Sequence, residues 1–122
     1  MMLREMMSGK IHGIAVTDKN VHYTGSLGLD VTLLEAAGIL PNEKIQVVNL
    51  TNGERMWTYA LKGAAGSGEC VLNGGMALKG NVGDRLLIIA YVQADDATAR
   101  AMRPKVVVIE GGDNRRHEVR EG

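Results

Sequence analysis

Glycine is the residue that most constrains the fold of this chain. It accounts for 16 of the 122 residues, while the chain holds three Tyr, one Trp and no Phe. Glycine weakens the interior of a helix but is favoured in tight turns and bulges. A core without Phe must be packed mainly from Val, Ile, Leu, Met and Ala. These features predict a small, mostly-β domain with many turns rather than a helical bundle.

Length and charge limit the organisation and the partners of the protein. A chain of 122 residues has the length of one domain, which we expect to span residues 1–122. Lys plus Arg and Asp plus Glu number 14 each, so the formal net charge is zero. This balance argues against a nucleic-acid partner, because general nucleic-acid binders carry a basic surplus.

The cysteine content and the short apolar segments argue against a disulfide-bonded, metal-binding, secreted or membrane-spanning protein. The single cysteine, Cys70, rules out an internal disulfide, and no local spacing of ligands predicts a metal site. The longest apolar run, residues 86–92, is far shorter than the ~20 residues that span a bilayer. Arg4 and Glu5 interrupt the N-terminal Met-rich segment, so no signal peptide is predicted. We therefore expect a cytoplasmic protein without a membrane partner.

Periodicity and turn signals predict the order of the elements. An Asn52-Gly53 hairpin turn should join two of the strands. A capping box at residues 32–35 should open a short helix that ends at Gly38. A second helix is expected over 95–102 and a helical turn over 76–79. The final segment, 111–122, is either one more strand or a flexible tail. The predicted strands are 11–17, 21–29, 44–50, 54–61, 69–72, 85–92 and 105–109.

The Gly25-Ser26 pair is the first candidate for chemistry. Its simplest interpretation is a bulge or turn, and Gly66-Ser67 offers the same dipeptide in a plain loop. The functional interpretation is a peptide bond that is itself attacked. The Gly25 carbonyl is open on both faces, and a polarised carbonyl allows the neighbouring Ser26 hydroxyl to take over the acyl group.

Three further groups could assist such chemistry. Arg55 and Tyr59 share one strand face and offer a carboxylate clamp and a phenolic proton, whereas Thr58 faces the other way. The alternative is a solvated face of a hairpin. The remaining candidates are a surface pair, Lys10 and His12, and the turn at residues 73–75, whose backbone N–H groups could hold an oxyanion.

Taken together and in this order, these motifs resemble the bacterial pyruvoyl-dependent aspartate 1-decarboxylases. The similarity extends over nearly the whole chain with its spacing kept. The matching stretches are 10–12, 22–26, 35–41, 51–55, 58–59, 66–68, 73–74, 82–84 and 103–104.

The resemblance implies a fold and an activity. It implies a double-psi β-barrel with two or three short helices, assembled as a homotetramer with active sites between subunits. It implies self-cleavage of the Gly25-Ser26 bond, after which Ser26 becomes a pyruvoyl cofactor and neither a metal nor an external cofactor is needed. L-aspartate would form a Schiff base with this group and yield β-alanine and CO2, which supplies the synthesis of pantothenate and coenzyme A.

The resemblance also assigns roles to individual residues. Tyr59 is implied as the proton donor in catalysis, and Thr58 as a hydrogen-bond donor near the scissile carbonyl of Gly25. His12 and Tyr23 are supporting candidates. The implied substrate-binding residues are Lys10, Arg55, Thr58, Asn73, Gly74, Gly75 and Met76.

Three departures and two alternatives accompany the resemblance. Thr24 stands at a position that varies within the family. Gly13 stands where the family usually carries arginine, and Gly75-Met76 stands where two alanines are usual, so Met76 could narrow the pocket. One alternative is a non-catalytic double-psi barrel that binds or assembles and never cleaves. The other is a proenzyme that needs an accessory maturation factor.

Overall fold

The computed structural model describes all residues, Met1–Gly122, as nine strands, two α-helices and one 3-10 helix. Nine of the sixteen glycines adopt positive φ, which accounts for the glycine-rich composition of a chain with many turns. The elements are β1 (Arg4–Ala15), β2 (Asp18–Asn20), β3 (Leu27–Asp30), α1 (Val31–Ala37), β4 (Lys44–Asn49), β5 (Arg55–Gly63), β6 (Cys70–Asn73), the 3-10 helix (Gly74–Leu78), β7 (Arg85–Ala94), α2 (Asp96–Ala101), β8 (Lys105–Glu110) and β9 (Arg116–Glu121).

All nine strands join in one sheet of order β2-β6-β3-β5-β4-β7-β1-β8-β9. Three pairings are parallel, namely β1 with β8, β2 with β6 and β3 with β5. Only Val16 and Thr17 separate β1 from β2, and this link spans at most about 11 Å. In a flat sheet the six intervening strand spacings would require about 29 Å. The sheet must therefore curl back on itself like a barrel, although its strand pairing does not close.

One aliphatic core fills the curled sheet. The cluster contains 21 buried residues, and its largest fully buried side chains are Ile, Leu and Val. Helix α1 adds Leu33 and Leu34 to it. The prediction of a mostly-β barrel with a core of small aliphatic side chains and two or three short helices is confirmed. No helix of the chain is both long and apolar enough to cross a membrane.

Several local predictions are confirmed. Strands β4 and β5 form the antiparallel hairpin around Asn52-Gly53, and Gly38 ends α1 in the left-handed conformation with φ 71°. Helix α2 begins after its cap, Asp95, whose side chain accepts a hydrogen bond from the Thr98 N–H.

The predicted strand over 21–29 is wrong in its first six residues. Only Leu27–Asp30 is a strand, because Gly25 and Ser26 have φ values of 70° and 89°, which no β-strand accommodates. The first strand also starts at Arg4 rather than Ile11, because its pairing with β7 extends to Arg4. The local sequence does not predict this long-range pairing.

The capping box and the tail also need correction. The cap of α1 is Asp30, which accepts from the Thr32 N–H, so Thr32 lies inside the helix. The terminal segment is not a flexible tail, because β9 pairs with β8 along its full length. Asn114 anchors the preceding turn: its amide exchanges hydrogen bonds with both the N–H and the C=O of Ala15 and donates to the Gly68 carbonyl.

Candidate active site

The Gly25-Ser26 bond lies in a tight turn directly before β3. The Gly25 N–H donates to the Tyr23 carbonyl over 2.8 Å, which closes a three-residue turn. Ser26 is 1% exposed and has a φ of 89°. Positive φ is uncommon for serine and costs about 1–3 kcal/mol. The surrounding structure therefore holds this bond in a conformation that the free chain avoids.

Asn73 fixes the Ser26 hydroxyl. Strands β3 and β6 are antiparallel, and their register pairs Leu27 with Leu72, so its continuation places Asn73 opposite Ser26. The Asn73 N–H donates to the Ser26 carbonyl over 3.1 Å, and its Nδ2 donates to Ser26 Oγ over 3.3 Å. Both side chains are buried. The serine hydroxyl is thus oriented by an amide that has little freedom to move.

Tyr59 approaches the same turn from the other neighbouring strand. Strands β3 and β5 are parallel and pair Leu27 with Ala60, which brings Tyr59 beside the turn. Tyr59 Oη donates to the Thr24 carbonyl over 3.2 Å. It would lie 3.8 Å from a Cβ built on Gly25. A phenolic proton donor therefore borders the Gly25-Ser26 bond.

The residues after Asn73 form one wall of the site. Gly74 and Gly75 open the 3-10 helix, and no atom lies within 4 Å of a Cβ built on Gly75. The Met76 side chain is 5% exposed and belongs to the core cluster. It points into the core, so Met76 can contribute to a pocket chiefly through its backbone rather than by narrowing it.

Tyr23 belongs to the turn itself through its carbonyl, but four other predicted residues do not join this group within one chain: Arg55, Lys10, His12 and Thr58. Arg55 is exposed, has no ion pair, and lies about 13 Å along β5 from Tyr59. Lys10 and His12 flank the fully buried Ile11, so they face outward on β1, which is three strands away from β5. The half-buried Thr58 makes no side-chain hydrogen bond to the turn. One chain therefore assembles the serine, the amide and the phenol, but does not bring Arg55 or Lys10 beside them.

Asp30, at the end of β3, is a residue that the sequence reasoning missed. Its carboxylate is 2% exposed and accepts hydrogen bonds from three backbone N–H groups, those of Thr32, Gly66 and Gly68. Burial alone would raise the pKa of Asp30, but the bonds from Gly68, Thr32 and Gly66 outweigh it and lower the pKa below its ordinary value. Its position just before a predicted helix was the available signal.

Neither a reactive thiol nor a metal cluster accompanies the site. Cys70 is fully buried, and burial raises the pKa of its thiol, which makes it a packing residue rather than a nucleophile. No three His, Cys, Asp or Glu side chains come close enough together to hold a metal ion. The chemistry available near the turn is that of Ser26, Asn73, Tyr59 and the backbone.

Comparison with known proteins identifies the family. The family model described as aspartate decarboxylase matches residues 2–116. The aspartate 1-decarboxylase of Syntrophobacter fumaroxidans is 50% identical over 114 residues, which cover 93% of this chain and 91% of the relative. That of Carboxydothermus hydrogenoformans is 48% identical over 109 residues, or 89% and 86% of the two chains. That of Pelotomaculum thermopropionicum is 48% identical over 121 residues, or 99% and 91%. The chain therefore belongs to the aspartate decarboxylase family.

Proposed function

We propose that this protein is a self-processing aspartate 1-decarboxylase that converts L-aspartate to β-alanine and CO2. Family membership supports the reaction. The observation that carries the mechanism is the buried Ser26 hydroxyl, held by Asn73 beside a carbonyl that belongs to glycine.

Self-cleavage begins with the Ser26 hydroxyl. Its oxygen adds to the carbonyl carbon of Gly25, the bond from that carbon to the Ser26 nitrogen breaks, and the nitrogen takes up the hydroxyl proton. The resulting ester is lost by elimination: the Ser26 α-proton leaves, the Cβ–Oγ bond breaks, and Gly25 departs as a free carboxylate. Water then replaces the nitrogen of the remaining dehydroalanine and ammonia is released. Residue 26 becomes a pyruvoyl group.

The surroundings of Ser26 fit this cofactor. Asn73 and the backbone of residues 74–76 provide polar groups beside a buried apolar core, and Gly25 adds no side chain to block an incoming substrate. When formed, the pyruvoyl ketone supplies an electron sink for the electron pair that the departing carboxylate leaves behind. Tyr59 Oη then donates the proton that returns to the substrate α-carbon, and Asn73 orients the polar atoms near residue 26.

Substrate carboxylates require cations, and one chain does not bring the two predicted cations, Arg55 and Lys10, beside Ser26. Arg55 and Lys10 lie on the outward face, about 13 Å or more from Tyr59 along or across the strands. The same face exposes the apolar ring of Trp57, whose centroid lies 5.9 Å from that of the Tyr91 ring. These observations support a homotetramer in which neighbouring copies complete the site, with Arg55 and Lys10 binding carboxylates of L-aspartate and Thr58 and His12 in supporting positions.

The cellular role follows from the product. β-Alanine feeds pantothenate and coenzyme A synthesis, for which we expect a cytoplasmic enzyme without nucleic-acid or membrane partners. A maturation factor is compatible with this function, because the cleavage rate depends on small displacements of Ser26 Oγ.

A pair of serine variants tests the proposal. Ser26→Ala should yield no β-alanine or CO2 from L-aspartate, whereas Ser67→Ala should retain wild-type turnover. Ser67 also follows a glycine, but its hydroxyl donates to the Ala64 carbonyl in the β5–β6 loop. Turnover by Ser26→Ala would refute the pyruvoyl mechanism. Absence of turnover in a wild-type chain that remains intact would instead favour the non-catalytic binding module.

A further inference from the structure

Gly74 makes an unusually close approach to the Gly25-Ser26 turn. A Cβ built on Gly74 would lie 2.6 Å from the Gly25 nitrogen, 2.8 Å from the Gly25 Cα and 2.9 Å from the Tyr23 oxygen. Real Cβ atoms essentially never come closer than 3.0 Å to such atoms. All three atoms are backbone, so none can swing away as the end of a flexible side chain could.

The two sides of this contact differ in how firmly they are held. Gly74 follows Asn73, which pairs with Asn20 of β2 and donates its N–H to the Ser26 carbonyl, and it precedes the buried Met76 and Ala77 of the core cluster. On the other side, Tyr23 and Thr24 are exposed. That side is tied by the turn bond of Gly25, by the Tyr59 hydroxyl and by the Tyr23 N–H, which donates to the Asn20 carbonyl over 3.3 Å. A side chain at position 74 should therefore displace the turn rather than the core.

Such a displacement would separate two groups that must meet. Asn73 would keep Ser26 Oγ in place, while the Gly25 carbonyl would move with the turn. Reactions of this kind require the attacking and attacked atoms in near-contact alignment, and small misplacements cost orders of magnitude in rate. We propose that Gly74 is a positioning residue for self-cleavage, its missing side chain leaving the space that the scissile turn occupies. This inference rests on the proposed self-processing function.

The test compares the wild type, Gly74→Ala and Gly83→Ala as full-length chains made by cell-free synthesis, so that cleavage can be timed from the start. Gly83 is the matched control: both glycines have a positive φ, +62° at Gly74 and +93° at Gly83, but a Cβ at Gly83 meets nothing within 4 Å. Intact mass spectrometry follows the cleaved fraction. A second comparison uses the uncleavable Ser26→Ala background, in which NMR amide signals of residues 23–25 and of buried Ile88 are recorded with and without Gly74→Ala.

We expect Gly83→Ala to cleave at the wild-type rate and Gly74→Ala to cleave at least about tenfold more slowly. In the uncleavable background, Gly74→Ala should shift the signals of residues 23–25 and leave that of Ile88 unchanged. Four results would each overturn the role of Gly74. They are equal cleavage of all three chains, equal slowing of both variants, NMR signals of residues 23–25 that do not shift, and a Gly74→Ala chain that does not fold. A wild-type chain that never cleaves overturns the proposed function, and this inference with it.

Discussion

Asp30 is the residue whose replacement should most damage the fold around the site. Its buried carboxylate joins three segments, because it caps α1 through Thr32 and holds the β5–β6 loop through Gly66 and Gly68. It also ends the strand that Ser26 precedes. The perturbation is Asp30→Ala, made in the Ser26→Ala background so that every chain is intact.

The expected loss follows from the three hydrogen bonds. A net hydrogen bond contributes about 1 kcal/mol, and one to a charged group about 1.5–3 kcal/mol. Removal of the carboxylate also leaves the buried Gly68 N–H without its acceptor. We therefore expect Asp30→Ala to lower the free energy of unfolding by roughly 3–5 kcal/mol, out of the roughly 5–15 kcal/mol typical of a domain. The free energy of unfolding of Asp30→Asn should lie between those of the parent and Asp30→Ala, because its one amide oxygen can still accept hydrogen bonds from the N–H groups of Thr32 and Gly66.

Urea denaturation at equal chain concentration measures this loss. Asp95→Ala is the control, because Asp95 caps α2 through a single bond in an exposed position and should cost far less. A loss below about 1 kcal/mol for Asp30→Ala, or one no larger than that of Asp95→Ala, would refute the view that this carboxylate organises the site.

The same carboxylate predicts a pH dependence. Its pKa is lower in the folded protein than the ordinary value near 3.9 of the unfolded chain. The stabilisation is therefore complete above about pH 5 and is lost progressively as the pH falls through the unfolded and then the folded pKa. Denaturation at a series of pH values should show the parent losing its advantage over Asp30→Asn in this acidic range. A difference that stays constant with pH would contradict the assignment.

Three further predictions concern the site itself. Tyr59→Phe should still self-cleave within about fivefold of the wild-type rate, because only one hydrogen bond to the turn is lost, but its kcat should fall at least about 100-fold. The control is Tyr91→Phe, which removes a hydroxyl that donates to Gln46 and should leave turnover normal. A normal kcat in Tyr59→Phe would exclude the proton-donor role. Arg55→Ala should raise the KM for aspartate roughly tenfold or more by removing a charged hydrogen bond, as steady-state kinetics will detect, and an unchanged KM would exclude the clamp. The Cys70 thiol should resist alkylation in the native protein and react in denaturant, as labelling followed by mass spectrometry will show; rapid native labelling would contradict its burial.

Local signals explain which parts of the fold the sequence predicts. Gly38 after a short apolar helix and Asn52-Gly53 between two strands act through their own backbone preferences, and both are where the sequence places them. Distant contacts explain the failures. The Asn114 side chain donates a hydrogen bond to the carbonyl of Ala15, 99 positions away in sequence. Residues 111–122 alone therefore do not distinguish a strand from a flexible tail.

The same reasoning applies to the candidate site. Ser26, Asn73 and Tyr59 were identified as candidates, and the structure brings them together around one bond. The positive φ of Ser26 is not predicted by the local sequence, and the Asn73 amide that holds its hydroxyl lies 47 positions away in sequence. The separation of Arg55 from Tyr59 does follow from the sequence, since four residues of one strand span about 13 Å.

Intact mass spectrometry of the purified protein under denaturing conditions tests the central claim most directly. Self-cleavage at Gly25-Ser26 predicts two fragments, residues 1–25 and residues 26–122, with the second lighter by one ammonia than its form beginning with serine. A chain that stays whole after prolonged incubation, including at raised temperature, or one cut at any other bond, would contradict the account.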